Sequence, residues 1–107
     1  MISIQSMLLE KVNEKLQKSE KARRRMSATR KVLRWDGGAS ITTFLLENGQ
    51  IAIASNELNP DIVITASPDD VLGIMQKKLD PMEAYSSGKL KIKASLLDKL
   101  LMAELLS

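Results

Sequence analysis

The 107-residue chain contains no cysteine and no histidine. Together these absences exclude disulfides, thiol nucleophiles, Ser-His and Cys-His arrangements, zinc sites built from nitrogen and sulfur ligands, and the commonest general base near neutral pH. Lack of cysteine also fits a reducing compartment. Aromatic residues are scarce, with one Trp, one Tyr and one Phe, so the interior has to be filled by aliphatic and thioether side chains. No apolar run approaches the roughly 20 residues that span a bilayer. Met1 to Leu9 is too short, and too soon followed by Glu10 and Lys11, for a secretory signal, and the final Leu-Leu-Ser is not a peroxisomal tripeptide. The expected location is the cytoplasm. No glycine-rich phosphate loop or Asp-x-Asp-x-Asp-Gly calcium loop is present. Acidic pairs such as Asp69-Asp70 fall in the first turns of predicted helices, where the macrodipole and the free N–H groups account for them. The chain is therefore expected to be no enzyme and to require no cofactor and no metal.

What is present reads as one domain over residues 1–107, a length that hides roughly two-thirds of the unfolded chain's surface. Ile4, Leu8, Val12 and Leu16 recur every four residues among charged neighbours, which predicts an amphipathic helix from Ile4 to about Arg25. A meander follows, with turn signals at Asp36-Gly37-Gly38 and Asn48-Gly49, the second being the favoured dipeptide of a two-residue type I′ hairpin. If both loops have two residues, Leu46 opposes Ile51, Phe44 opposes Ile53, Trp35 opposes Ser40 and Leu33 opposes Thr42. One face then collects Leu33, Trp35, Phe44, Leu46, Ile51 and Ile53, and this is the face the helices are expected to cover. The other face carries Val32, Arg34, Ile41, Thr43, Leu45, Ala52 and Ala54, for which scattered surface hydrocarbon is the preferred reading and a self-association patch the alternative.

Ser55 to Pro60 is a loop by composition, and Asp61 to Ala66 is the fourth strand. Ser67-Pro68-Asp69-Asp70 opens a helix with cap, proline and acids in their favoured places. Asp80-Pro81-Met82-Glu83 opens another as a capping box, with Glu83 reaching back to the cap. Ser86-Ser87-Gly88 stops it, and Lys89 to Lys93 then alternates charge and hydrocarbon as a half-buried strand protected from edge pairing. Ser95-Leu96-Leu97-Asp98 begins a terminal helix in which eight of the eleven residues from Leu96 to Leu106 are apolar, so more than one of its sides should be shielded from water.

The order Asp80-Pro81, short helix, Gly88-Lys89-Leu90-Lys91-Ile92-Lys93 resembles the sterol carrier protein type 2 family of nonspecific lipid-transfer proteins. So do the strand Asp61 to Ser67 running into its capped helix and the hairpin turn at Asn48-Gly49. The resemblance spans roughly residues 8 to 105. It implies an α+β fold, a five-stranded, mainly antiparallel sheet with helices packed on one face, and an apolar lipid held in a tunnel between sheet and helices. The lining it implies is Val71, Leu72 and Met75, then Met82 and Tyr85, then Leu97, Leu100 and Leu101, with Phe44 and Leu46 as the floor. This chain differs from the family pattern at Tyr85-Ser86-Ser87-Gly88, which is smaller and more polar, and at Ala94, which stands for a common glycine.

Charge is distributed unevenly. Lys18 to Arg34 carries eight bases and one acid, a net of +7, whereas the rest of the chain carries eight bases and twelve acids, a net of −4. Cations at a helix C-terminus explain part of this run. Arg23, Arg24, Arg25, Arg30 and Lys31 are the residues expected to dock on an anionic membrane surface, if one is a partner. A nucleic-acid partner is disfavoured, because no aromatic lies between Lys18 and Arg34 to stack on bases. The sequence thus predicts a small carrier of an apolar lipid. The alternative is a non-catalytic interaction module or homodimer that packs through its Leu-rich terminal helix.

Overall fold

The computed structural model describes residues 3–27 and 29–106. Its elements are α1 (Ile4–Lys18), α2 (Glu20–Ser27), β1 (Arg30–Asp36), β2 (Ile41–Glu47), β3 (Gln50–Ala54), β4 (Ile62–Thr65), α3 (Pro68–Met75), α4 (Pro81–Ser87), β5 (Lys91–Lys93) and α5 (Leu96–Leu106). The five strands form one sheet in the order β3-β2-β1-β4-β5. All neighbours are antiparallel except β1 and β4. The architecture is the α+β one expected.

The anticipated first helix is two helices. Ser19 adopts an extended backbone after Lys18, and its hydroxyl accepts from the Ala22 N–H, so it stops α1 and caps α2. α1 buries Leu8, Val12 and Leu16 against the sheet, and α2 buries Ala22 and Met26. Three later caps form as the sequence indicates: Ser67 accepts from Asp70 N–H, Asp80 from Glu83 N–H and Ser95 from Asp98 N–H. Among the described residues only half of the Asp80 capping box is made, the Glu83 N–H bond to Asp80, with no return bond from the Glu83 side chain.

At the second hairpin Asn48 and Gly49 have φ of 56° and 74°, the pair of positive values a type I′ turn requires, and Leu46↔Ile51 and Phe44↔Ile53 pair as expected. The first hairpin differs from expectation. Trp35 pairs with Thr42 and Leu33 with Phe44, because the tight turn is centred on Gly38-Ala39 rather than Gly37-Gly38. Asp36 Oδ1 accepts from Gly38 N–H, and Gly38 takes φ 91°, which suits the first central position of a type II′ turn. Partners slip by two residues, so every side chain keeps its expected face.

Leu33, Trp35, Phe44, Leu46 and Ile51 are buried under the helices, whereas Ile53 is 55% exposed. The cause is the outer position of β3. α1 reaches it at Ile51, where the Asn13 side chain donates to the Ile51 carbonyl (3.3 Å) and accepts from its N–H (3.1 Å), and one register further out nothing covers the strand. The Trp35 indole N–H donates to the Ala66 carbonyl at 3.0 Å, so the largest core side chain leaves no buried donor unpaired.

The opposite sheet face is less open than its composition suggested. Arg34 donates to Thr43 Oγ1 and to the carbonyls of Asn56 and Leu58, Thr43 donates to Asn56 Oδ1, and Asp61 bonds Val32 through both backbone and side chain. Val32 and Thr43 are consequently buried although no helix lies over them. The segment joining β3 to β4 holds this side of the sheet with polar contacts.

Candidate functional site

Sheet and helices leave a cavity of about 40 Å³ between them. The sheet contributes Leu33, Trp35, Phe44, Ile51 and Ile64 to its wall, and Leu90 closes one side ahead of β5. The helices contribute Leu8, Lys11 and Val12 from α1, Val71, Ile74 and Met75 from α3, and Met102 and Leu105 from α5. Apart from Lys11 the lining is hydrocarbon, thioether and aromatic carbon, so a water inside would find few polar partners. Pockets that enclose a small organic ligand are about 300–1,000 Å³. At about 40 Å³ this cavity is well below that range, and a long alkyl chain would fit only if the helices stood further from the sheet.

Of the residues implied as lining, Phe44, Val71 and Met75 meet at this cavity. Leu46 and Leu101 are buried in the same core but lie off its wall, and Leu72 is half-buried. Met82, Tyr85, Leu97 and Leu100 face solvent. Leu96 and Leu97 are 73% and 78% exposed and Leu100 is 54% exposed, so the N-terminal half of α5 shows leucine to water while Leu101, Met102 and Leu105 point inward. α4 and α5 are linked where Lys99 Nζ donates to the Tyr85 hydroxyl at 3.3 Å and lies 5.9 Å from the ring centroid. The lining residues absent from the implied set include, on α1 and α5, Leu8, Val12, Met102 and Leu105. The four-residue spacing of α1 signals the first two. Nothing in α5 signals the others, because its apolar residues go all the way round.

The basic run is tied into the fold at several points. Arg23 Nη1 donates to the Gln17 carbonyl at 3.4 Å, Arg24 pairs with Glu20 at 2.6 Å, Arg30 with Glu47 at 3.7 Å and Lys31 with Asp98 at 3.3 Å. The Arg25 side chain lies outside the described residues. Lys31 and Asp98 join the central strand to α5 and hold the helix at its first turn, where the acid also meets the dipole favourably. Among the described residues no group of three or more Asp, Glu, His or Cys side chains is placed to hold a metal ion, and no helix is long and apolar enough to cross a membrane.

The model of the SCP-2 sterol transfer family matches residues 9–101, which run from within α1 to the middle of α5. The chain belongs to this family. The fold recurs in solved structures of low sequence identity. Sterol carrier protein-2 from Aedes aegypti, in complex with the C16 fatty acid palmitate, superposes with a TM-score of 0.68 at 15% identity over 100% of this chain and 97% of that one. The ubiquinone synthesis protein UbiJ-SCP2 gives 0.64 at 17% identity, covering 92% of this chain and 84% of the other. The inverting sec-alkylsulfatase Pisa1 from Pseudomonas sp. gives 0.60 at 20% identity over 72% of this chain, but only 12% of its own length is involved. The same SCP-2 architecture is thus found as nearly a whole protein and as a small part of a larger enzyme. No curated protein matches the chain.

Proposed function

We propose that this member of the SCP-2 family carries an apolar lipid between its sheet and its helices, holding it by burial and performing no chemistry on it. The observation that carries the reading is the apolar cavity at the sheet–helix interface, walled by five sheet side chains and by three separate helices. Palmitate bound by the Aedes aegypti relative of like fold supports it. Burying a few hundred Å² of acyl or isoprenoid chain at about 25 cal/mol per Å² supplies several kcal/mol before ordering costs. The cavity is small in the present form, so loading is coupled to a widening between sheet and helices. Met75, flexible and polarizable at the cavity wall, suits a lining that adjusts to chains of differing shape.

Solvent extraction and intact mass spectrometry of the purified protein should reveal co-purifying lipid, and fluorescent fatty acyl or isoprenoid probes should bind saturably. Met75→Asp should abolish uptake. If neither lipid nor saturable probe binding is found, the reading is wrong.

The exposure of Leu96, Leu97 and Leu100 favours a second reading, an interaction module or homodimer that covers this face of α5. Deleting the helix would not test it, since Leu101, Met102 and Leu105 belong to the core. Leu97→Glu with Leu100→Glu leaves the core intact. An interaction module then loses its partner in light scattering, whereas a carrier keeps both its mass and its ligand.

A further inference from the structure

Seven large apolar side chains are exposed among the described residues, and five of them lie on two neighbouring helices: Met82 and Tyr85 on α4, Leu96, Leu97 and Leu100 on α5. Met82 and Tyr85 stand three residues apart and Leu96 and Leu100 four apart, so each set occupies one helix face. The bond from Lys99 Nζ to the Tyr85 hydroxyl (3.3 Å) sets the two faces side by side. Together they expose an apolar patch on the order of several hundred Å², a size that marks a contact surface rather than scattered hydrocarbon. The fold does not ask for it. Leu101, Met102 and Leu105 supply what α5 gives the core, and Leu97, 78% exposed, adds little to it.

The available charges around the patch are chiefly cationic. Lys99 stands within it, Lys89 follows the Gly88 that stops α4, and Lys93 lies two residues before the Ser95 cap of α5. Among the described residues Lys89 and Lys93 pair with no acid. The acids are largely engaged: Asp98 is held by Lys31 at 3.3 Å, Glu104 has a partner as well, and Asp80 caps α4. Glu83 is left, in the first turn of α4 where the helix dipole suits it. The basic run that the sequence offers to a membrane is more committed. Arg24 pairs with Glu20, Arg30 with Glu47 and Lys31 with Asp98.

We infer that the outward faces of α4 and α5 form one docking surface for an anionic bilayer, in which Leu96, Leu97 and Leu100 enter the headgroup layer while Lys99 stays among the phosphates. Hydrocarbon beside a tyrosine and a lysine suits that layer: the apolar tips sink, the Tyr85 ring lies at headgroup depth, and the lysine stem reaches back toward water. Among the described residues no helix is long and apolar enough to cross a membrane, and five side chains on two short helices give a shallow, reversible attachment. A second copy of the chain fits this face less well. In a two-fold contact each patch meets itself, so the lysines beside one patch confront those beside the other. The inference concerns where the protein sits rather than what it holds, so it does not depend on the carrier reading.

The test is co-sedimentation with vesicles of phosphatidylcholine, alone and mixed with phosphatidylglycerol. The wild-type protein should bind the anionic vesicles about fivefold or more tightly than the neutral ones, an advantage that shrinks as salt is added. Leu97→Ser with Leu100→Ser removes hydrocarbon without adding charge, so it should weaken binding to both kinds of vesicle by about tenfold or more while Tm holds. Lys99→Met should weaken binding to the anionic vesicles about three- to fivefold and leave the neutral ones as before. Lys15→Met with Lys18→Met removes twice the charge from the α1–α3 side, and at physiological salt should change binding by less than about twofold, since charges more than about 8 Å from the bilayer are screened. Wild-type protein that binds neither vesicle, or both equally, overturns the inference. So does a serine variant that binds as well as the wild type. An α1 pair that matters more than Lys99 overturns it by moving the docking surface to α1. A wild-type dimer in light scattering that the serine variant turns to monomer overturns it too, because a second copy then covers the face.

Discussion

α1 and α5 flank the same cavity, yet they meet water in opposite ways. α1 buries Leu8, Val12 and Leu16 and turns Glu10, Glu14 and Lys18 outward. α5 buries Leu101, Met102 and Leu105 and turns Leu96, Leu97 and Leu100 outward. The first is a finished amphipathic helix, while the second has a buried face and an exposed face that are both leucine-rich. Their attachments differ as well. α1 is clamped to β3 by the paired bonds of Asn13 to Ile51, whereas α5 is held at its start by the Ser95 cap and the Lys31–Asp98 pair. On the carrier reading proposed above, this difference in attachment makes α5 rather than α1 the helix to test for the widening that a long ligand would demand.

The largest expected effect tests the inward faces. Leu16→Ala and Met102→Ala should each cost about 2–5 kcal/mol in urea unfolding, since both side chains are fully buried. Leu97→Ala should stay within about 0.5 kcal/mol. A large loss from Leu97→Ala would mean that this face is covered in solution, and the contrast between the helices would fail. Next comes the clamp on α1. Asn13→Ala strands the N–H and carbonyl of buried Ile51 and should cost about 1–3 kcal/mol, with faster amide exchange along β3. Smaller again is Ser95→Ala, which removes the α5 cap and should cost about 1 kcal/mol. If α5 is the mobile helix, that substitution also speeds probe uptake, whereas Asn13→Ala does not.

The sequence was most legible where a local rule has one physical outcome. Asn48-Gly49 permits positive φ at two successive residues, and Ser67, Asp80 and Ser95 each precede free N–H groups that a short oxygen-bearing side chain reaches. Strand parity survived even where the first turn was displaced by one residue, because sliding partners by two preserves faces. What escaped reading depends on position in three dimensions. The exposure of Ile53 follows from β3 lying at the sheet edge beyond the reach of α1, and the burial of Val32 follows from the 55–61 segment crossing beneath it. The site divided along the same line. Phe44, Val71 and Met75 stand on elements with a clear apolar phase. In α5, where leucine occupies both faces, periodicity gives no direction: Leu97 and Leu100, which the family resemblance implies as lining, face solvent here, and Met102 and Leu105 stand at the cavity wall.

The smallest effect concerns the outward faces. On α1 the Glu14 carboxyl lies below the usual range because it accepts from Lys18 and feels the same lysine's charge, with Lys11 and Lys77 adding to it. A depressed folded-state value means that the carboxylate's contribution is present above the unfolded value and is lost as pH falls through the folded one. The Tm difference between wild type and Glu14→Gln should therefore be positive at neutral pH, fade once the medium is acid enough to protonate the folded carboxyl, and shrink with added salt. The exposed Leu96, Leu97 and Leu100 of α5 carry no charge, so salt should leave that surface unweakened and, with a strongly excluded salt such as sulfate, should promote self-association through Leu97 and Leu100. Light scattering and thermal melts on the same salt series separate the two faces. A Glu14 contribution that is indifferent to salt, or association that falls as sulfate rises, would mean that the outer surfaces of the two helices are not the charged and apolar opposites described above.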